Sequence, residues 1–155
     1  MRLLIIICCV FSFVNADFNR KDDIVSVESS DNEMNRAIKK AQKTLPIFLK
    51  AYKNKNTKEY GFGVKVKITD SYGSEHFWTT DFIELKNGFS AKINNSPQVV
   101  KSVKYRELVK FSKSDITDWM FYKNGILQGG YTIKAMFKYM EKDDVESLKK
   151  DFGWK

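Results

Sequence analysis

The spacing of apolar residues changes near Tyr60, and this change limits the folds open to the chain. Before it, Met34, Ala37, Ile38, Ala41, Leu45, Phe48, Leu49 and Tyr52 recur at intervals of three and four, which marks one buried helix face. After it, Phe62, Val64, Val66 and Ile68 alternate with Gly63, Lys65 and Lys67, which marks a strand with one dry and one wet side. Further short strand patterns follow, and helical spacing returns at Ile133, Met136, Phe137 and Met140. The expected fold is α+β: an N-terminal helix, five to six short antiparallel strands forming a bent sheet or small open barrel, and one or two C-terminal helices.

Local signals place the boundaries. Ser30 and Glu33 have capping-box spacing ahead of the first helix, and Pro46 is expected to kink or split that helix near Thr44. A three-residue loop, Lys86-Asn87-Gly88, aligns Leu85 with Phe89 and Ile83 with Ala91, putting them on one apolar face with Ile93. Ser114 to Asp118 reads as a polar connector, and Asn124-Gly125 as a second hairpin turn. Gly129-Gly130 must turn sharply or admit a close backbone approach. Asp143 or Asp144 is expected to cap a last helix, with Val145, Leu148 and Phe152 as its inner stripe.

Residues 1–16 read as a secretory signal peptide. Arg2 precedes an apolar run from Leu3 to Val14, and Val14-Asn15-Ala16 offers a cleavage site. The run is short for a membrane anchor, and neither Cys8 nor Cys9 follows the small residue that lipoprotein acylation requires. Residues 17–29 then form a flexible leader and residues 30–155 a single domain, periplasmic or secreted. Both cysteines fall in the leading segment, so no disulfide is expected after it. Zinc sites are built mainly from cysteine and histidine, and beyond residue 16 there is one histidine, His76, and no cysteine. No metal or cofactor is expected.

The formal net charge is +8, and removal of Arg2 lowers it by one. Of 27 basic residues 23 are lysine, which points to composition more than to a phosphate site, since such sites favour the guanidinium fork. Nucleic acid is therefore not an expected partner.

His76 is the one histidine available for acid–base chemistry, with Asp118 or Asp81 as carboxylate partner. Strand alternation sends Glu75 and His76 to opposite sides and puts His76 and Trp78 on the same side. Asp118, directly before Trp119, either meets a ligand cation or caps a turn that packs the indole inward.

The sequence resembles the YegJ-like family of bacterial domains of unknown function. The resemblance rests on Glu75-His76-Phe77-Trp78, Asn95-Ser96-Pro97, Asp115-Ile116 with Asp118-Trp119-Met120, Asn124-Gly125 and Gly129-Gly130-Tyr131-Thr132, in that order, and runs from about Asp31 to Phe152. Arg106 departs from it, standing where the family often has a turn glycine. The resemblance implies no activity or catalytic residue. It implies that the two tryptophan motifs belong together: Trp78, Trp119 and Tyr131 are expected to meet, with His76 and Asp118 at the edge.

The expected function is a non-enzymatic binding or protein-interaction module using His76, Trp78, Asp118, Trp119 and Tyr131. Its partner would be a periplasmic protein or an anionic envelope component. The alternatives are a small hydrolase using His76 with a nearby carboxylate, and an electrostatic binder of anionic envelope polymers.

Overall fold

A computed structural model of the chain describes residues 4–6, 24–26, 31–54 and 58–154. The expected cleavage site and most of the expected leader lie outside the described residues. Two three-residue strands, β1 (Leu4–Ile6) and β2 (Ile24–Ser26), pair antiparallel, and Leu4 lies parallel beside Glu75.

Helix α1 (Asn32–Asn54) follows the apolar stripe, burying Met34, Ala41, Leu45, Phe48 and Ala51. Asp31 caps it, its Oδ1 accepting the Met34 N–H at 2.7 Å. Ser30 of the expected capping box lies outside the described residues, and Glu33 pairs with Lys138 at 3.2 Å. Pro46 does not split the helix, which runs unbroken through it. The proline sits on the solvent side, so its ring and missing N–H disturb only a wet backbone edge. The packed side keeps Leu45 and Phe48 fully buried.

Six strands follow: β3 (Glu59–Asp70), β4 (Gly73–Leu85), β5 (Gly88–Ile93), β6 (Leu108–Phe111), β7 (Ile116–Lys123) and β8 (Ile126–Gly129). They form an open antiparallel sheet in the order β6-β5-β4-β3-β7-β8. β4 bends it. Residues 73–78 pair with β3 and residues 79–85 with β5, and the register slips between Thr80 and Ile83, where Asp81 takes φ 54°.

This slip corrects the expected hairpin register. Leu85 pairs with Gly88 and Ile83 with Ser90, so the turn is Lys86-Asn87. The bulge reverses the strand's inside and outside, turning Phe82 into the core and leaving Ile83 47% exposed. Phe82 then stacks on Phe89 at 5.3 Å. Gly88 is required there, since a Cβ would stand 2.7 Å from the Phe111 carbonyl oxygen. The Asn124-Gly125 turn joins β7 to β8 as expected, pairing Lys123 with Ile126. The expected 114–118 connector is shorter: a 3-10 turn spans Lys113–Asp115, and Ile116 already belongs to β7. Before β6, Arg106 takes φ 68°, a left-handed conformation that suits glycine better than arginine.

The sheet is covered on both faces. α1 packs on one, where Leu45, Phe48, Val64, Val66, Phe77, Phe82, Ile93, Ile116, Trp119 and Phe121 form the larger core. The chain's last part, α2 (Tyr131–Met136), a 3-10 turn at Phe137–Tyr139 and α3 (Lys142–Asp151), serves the other. There Trp78, Met120, Tyr122 and Leu127 meet Ile133, Leu148 and Phe152. Glu141 takes the N-cap position of α3, with Asp143 and Asp144 in the first turn beside the helix dipole. The C-terminal residues also close the outer edge of β8. The Leu127 N–H donates to the Phe152 carbonyl at 2.9 Å, and the Trp154 indole donates to the Leu127 carbonyl at 2.8 Å.

Candidate interaction site

β3 runs between the two tryptophan strands, and its pairing fixes where their side chains go. Lys65 lies opposite Trp78 on β4 and opposite Asp118 on β7, whereas Val64 lies opposite Trp119. Paired residues share a face and successive residues alternate. Trp78, Lys65 and Asp118 are therefore on the face toward Leu148 and Phe152, and Trp119 is on the α1 face. The expected meeting of Trp78 with Trp119 does not occur. Trp119 and Tyr131 do meet, edge to face, with ring centroids 5.7 Å apart.

Trp119, Asp118 and His76 each have an interior task. The Trp119 indole N–H donates to the Ala41 carbonyl at 3.0 Å and lies 3.3 Å from the Thr44 hydroxyl, tying β7 to α1. Asp118 is fully buried and fastens α2 to β7. Its Oδ1 accepts the Trp119 and Tyr131 N–H groups at 2.8 and 3.2 Å. Its Oδ2 accepts the Thr132 N–H and hydroxyl, both at 2.7 Å. Burial pushes the Asp118 carboxyl up from its ordinary value, while these Thr132 and Trp119 bonds and the Lys65 charge pull it back. Gly129 makes the turn possible: at φ 77°, a Cβ there would stand 2.0 Å from the Trp119 carbonyl oxygen.

His76 is 3% exposed, and its Nδ1 lies 2.9 Å from the Thr117 hydroxyl. Burial, then the Lys65 and Lys67 charges, lower its pKa to about 3, so the ring is neutral at physiological pH. His76 is hydrogen-bonded to Thr117 and Asp118 to the start of α2, with no bond joining the two among the described residues. Asp81 points outward and pairs with Lys92 at 2.9 Å. Of the five residues expected to bind, only Tyr131 is more than marginally exposed.

Two features went unread in the sequence. Glu75 is fully buried and accepts the N–H groups of Gln98, Val99 and Val100, while Asp70 accepts those of Lys101 and Ser102. Two carboxylates thus hold five consecutive amides, and no spacing rule links residues 23 to 32 positions apart. The other feature is the outside of α1. Arg36, Lys39, Lys40, Lys43, Ile47 and Lys50 all face solvent at helical intervals, a row about 20 Å long. Glu33 is the helix's one acid. Lys53 pairs with Glu84, but Lys39, Lys40, Lys43 and Lys50 have no carboxylate partner among the described residues. Ile47 is 55% exposed in the middle of this row.

Residues 31–155 match the model of the family described as "Uncharacterized protein conserved in bacteria (DUF2314)". The chain belongs to this family. The DUF2314 match takes in every helix and every strand from β3 to β8. The chain is also similar to "Uncharacterized protein YegJ" of Escherichia coli (strain K12), at 31% identity over 150 residues, covering 96% of this chain and 97% of that one. It is 32% identical over 139 residues to "Putative ankyrin repeat protein NMB1133/NMB1171" of Neisseria meningitidis serogroup B (strain ATCC BAA-335 / MC58), covering 84% of this chain but 54% of the relative. No solved structure matches. Among the described residues of this DUF2314 domain, no helix is long and apolar enough to cross a membrane.

Proposed function

We propose that this DUF2314 domain is a non-enzymatic protein-interaction module, exported to the periplasm, that contacts an acidic partner protein through the outer face of α1. The observation that carries this reading is the row Arg36, Lys39, Lys40, Lys43, Lys50 around exposed Ile47, set against a single helix acid. Unpaired like charges on one face repel each other, and an acidic surface relieves that repulsion and steers encounter. The exposed isoleucine supplies an apolar contact at the centre of the row. Export is supported by the charge and apolar layout of residues 1–16. The ankyrin-repeat name of the Neisseria relative, about half of which this chain spans, fits a domain used beside other modules in protein contacts. The hydrolase alternative has little support: His76 is neutral and buried, and its hydrogen-bond partner is a threonine.

Affinity capture from periplasmic extract tests the reading, comparing the wild-type chain with a Lys43→Glu, Lys50→Glu chain. Wild type should retain an acidic protein that the variant loses, and retention should weaken steeply with salt. Equal recovery by the folded variant rejects the face. Salt-sensitive binding to vesicles of anionic lipid, with no protein retained, favours the anionic-polymer alternative instead.

A further inference from the structure

At the N-terminal end of α2 a half-buried tyrosine stands among cations that have no acid to answer them. The Lys40 ammonium lies over the Tyr131 ring, 5.2 Å from its centroid, and that ring rests edge-on against Trp119. Three residues along α2, the Lys134 ammonium lies 4.2 Å from the centre of the Trp154 ring. α1 and α2 pack together, with Met34 against Ala135 and Met136, and Lys134, three residues after Tyr131 on α2, is that ring's neighbour on the helix surface. Burial, then the nearby Lys40 charge, lower the Lys134 pKa, while Asp118 pulls it the other way. Asp118 has no capacity to spare, since its oxygens already take four hydrogen bonds from residues 119 to 132. Neither lysine meets a carboxylate among the described residues, and there the Tyr131 hydroxyl makes no hydrogen bond.

We propose that Lys40, Tyr131 and Lys134 form an oxyanion-binding notch at the α1–α2 seam, taking a carboxylate or phosphate group presented by the partner. The proposal rests on the interaction-module reading and names the group that the acidic partner inserts. Two ammonium groups neutralise the ligand, and the phenol donates one directed hydrogen bond. Aromatic rings beneath both lysines hold them in place without neutralising them. A plain solvated lysine row needs neither the rings nor the phenol.

The test is titration of the full chain with inorganic phosphate in one arm and succinate in the other, followed by amide chemical shifts. Saturable shifts at residues 40 and 130–134 are expected, and the tighter arm identifies the source of the oxyanion. Lys134→Gln and Lys40→Gln should each weaken binding about tenfold, with Tyr131→Phe weaker by severalfold. Lys113→Gln, with the same loss of charge on an exposed turn, should bind as wild type. The shift spectrum itself verifies that each variant is folded. Non-saturable shifts spread over many lysines, or equal weakening by Lys113→Gln, overturn the notch. If the notch fails while charge reversal at Lys43 and Lys50 still abolishes partner capture, the α1 face stands without it.

Discussion

His76 is buried on a sheet face with two lysines nearby, and its neutrality is tied to stability. In an unfolded chain the ring would take up a proton below its ordinary value of 6.5, whereas the folded chain resists until about pH 3. The folded state therefore binds fewer protons between those limits. The stability contributed by neutral His76 is complete above pH 6.5 and is lost as pH falls toward 3. By linkage the loss reaches an upper bound of about 5 kcal/mol. Because His76 is the one histidine in the chain, its ring proton resonance is unambiguous. That resonance should stay put between pH 8 and pH 5 (about the range where exposed histidines titrate), while the urea midpoint falls over the lower half of it. A normal imidazole titration near 6.5 would show that the ring is solvated and the placement wrong.

At the scale of elements, Glu75 does what turn chemistry usually does. Its side chain accepts the amides of residues 98–100 and so holds the loop from β5 to β6 against the sheet. Glu75→Gln keeps the shape but replaces one acceptor oxygen with a donor facing N–H groups. Amide exchange at Gln98, Val99 and Val100 should accelerate by about tenfold or more, with β3 and β7 unchanged. Unchanged protection at these amides would remove the clasp. The elements themselves were legible because periodicity is local: the α1 stripe and the Asn124-Gly125 turn are carried by neighbouring residues. The wet side expected of β3 is dry at Gly63 and Lys65, the latter 1% exposed, because the C-terminal helices cover that face. The phase of β4 was not legible. Ile83 and Leu85 read as inward until the bulge at Asp81 hands the core to Phe82, and a bulge answers to packing from β5, not to the residues beside it. Pro46 misled for a related reason, since its effect depends on which side of the helix is wet.

For the whole molecule, the path of the chain decides what the marked residues do. The sequence reads Asp118 as the end of a connector, whereas it lies in β7, where alternation sends Asp118 and Trp119 to opposite sides. Alternation says nothing about which helix would cover which side, and so could not show that Trp78 and Trp119 serve two different cores. The Asp118 carboxylate, read as either a ligand site or a cap, is a cap, reaching from β7 to the start of α2. With the tryptophan motifs spent on holding two layers to one sheet, the outside of α1 and its seam with α2 are left as a face whose lysines, apart from Lys53, have no carboxylate partner among the described residues. Iodide quenching of tryptophan emission tests that division most directly, in a Trp154→Phe chain whose fold is checked by circular dichroism. Trp78 and Trp119, each 2% exposed, should be shielded from iodide until the chain unfolds. Quenching of either indole in the folded chain at the rate of a free solute would contradict it.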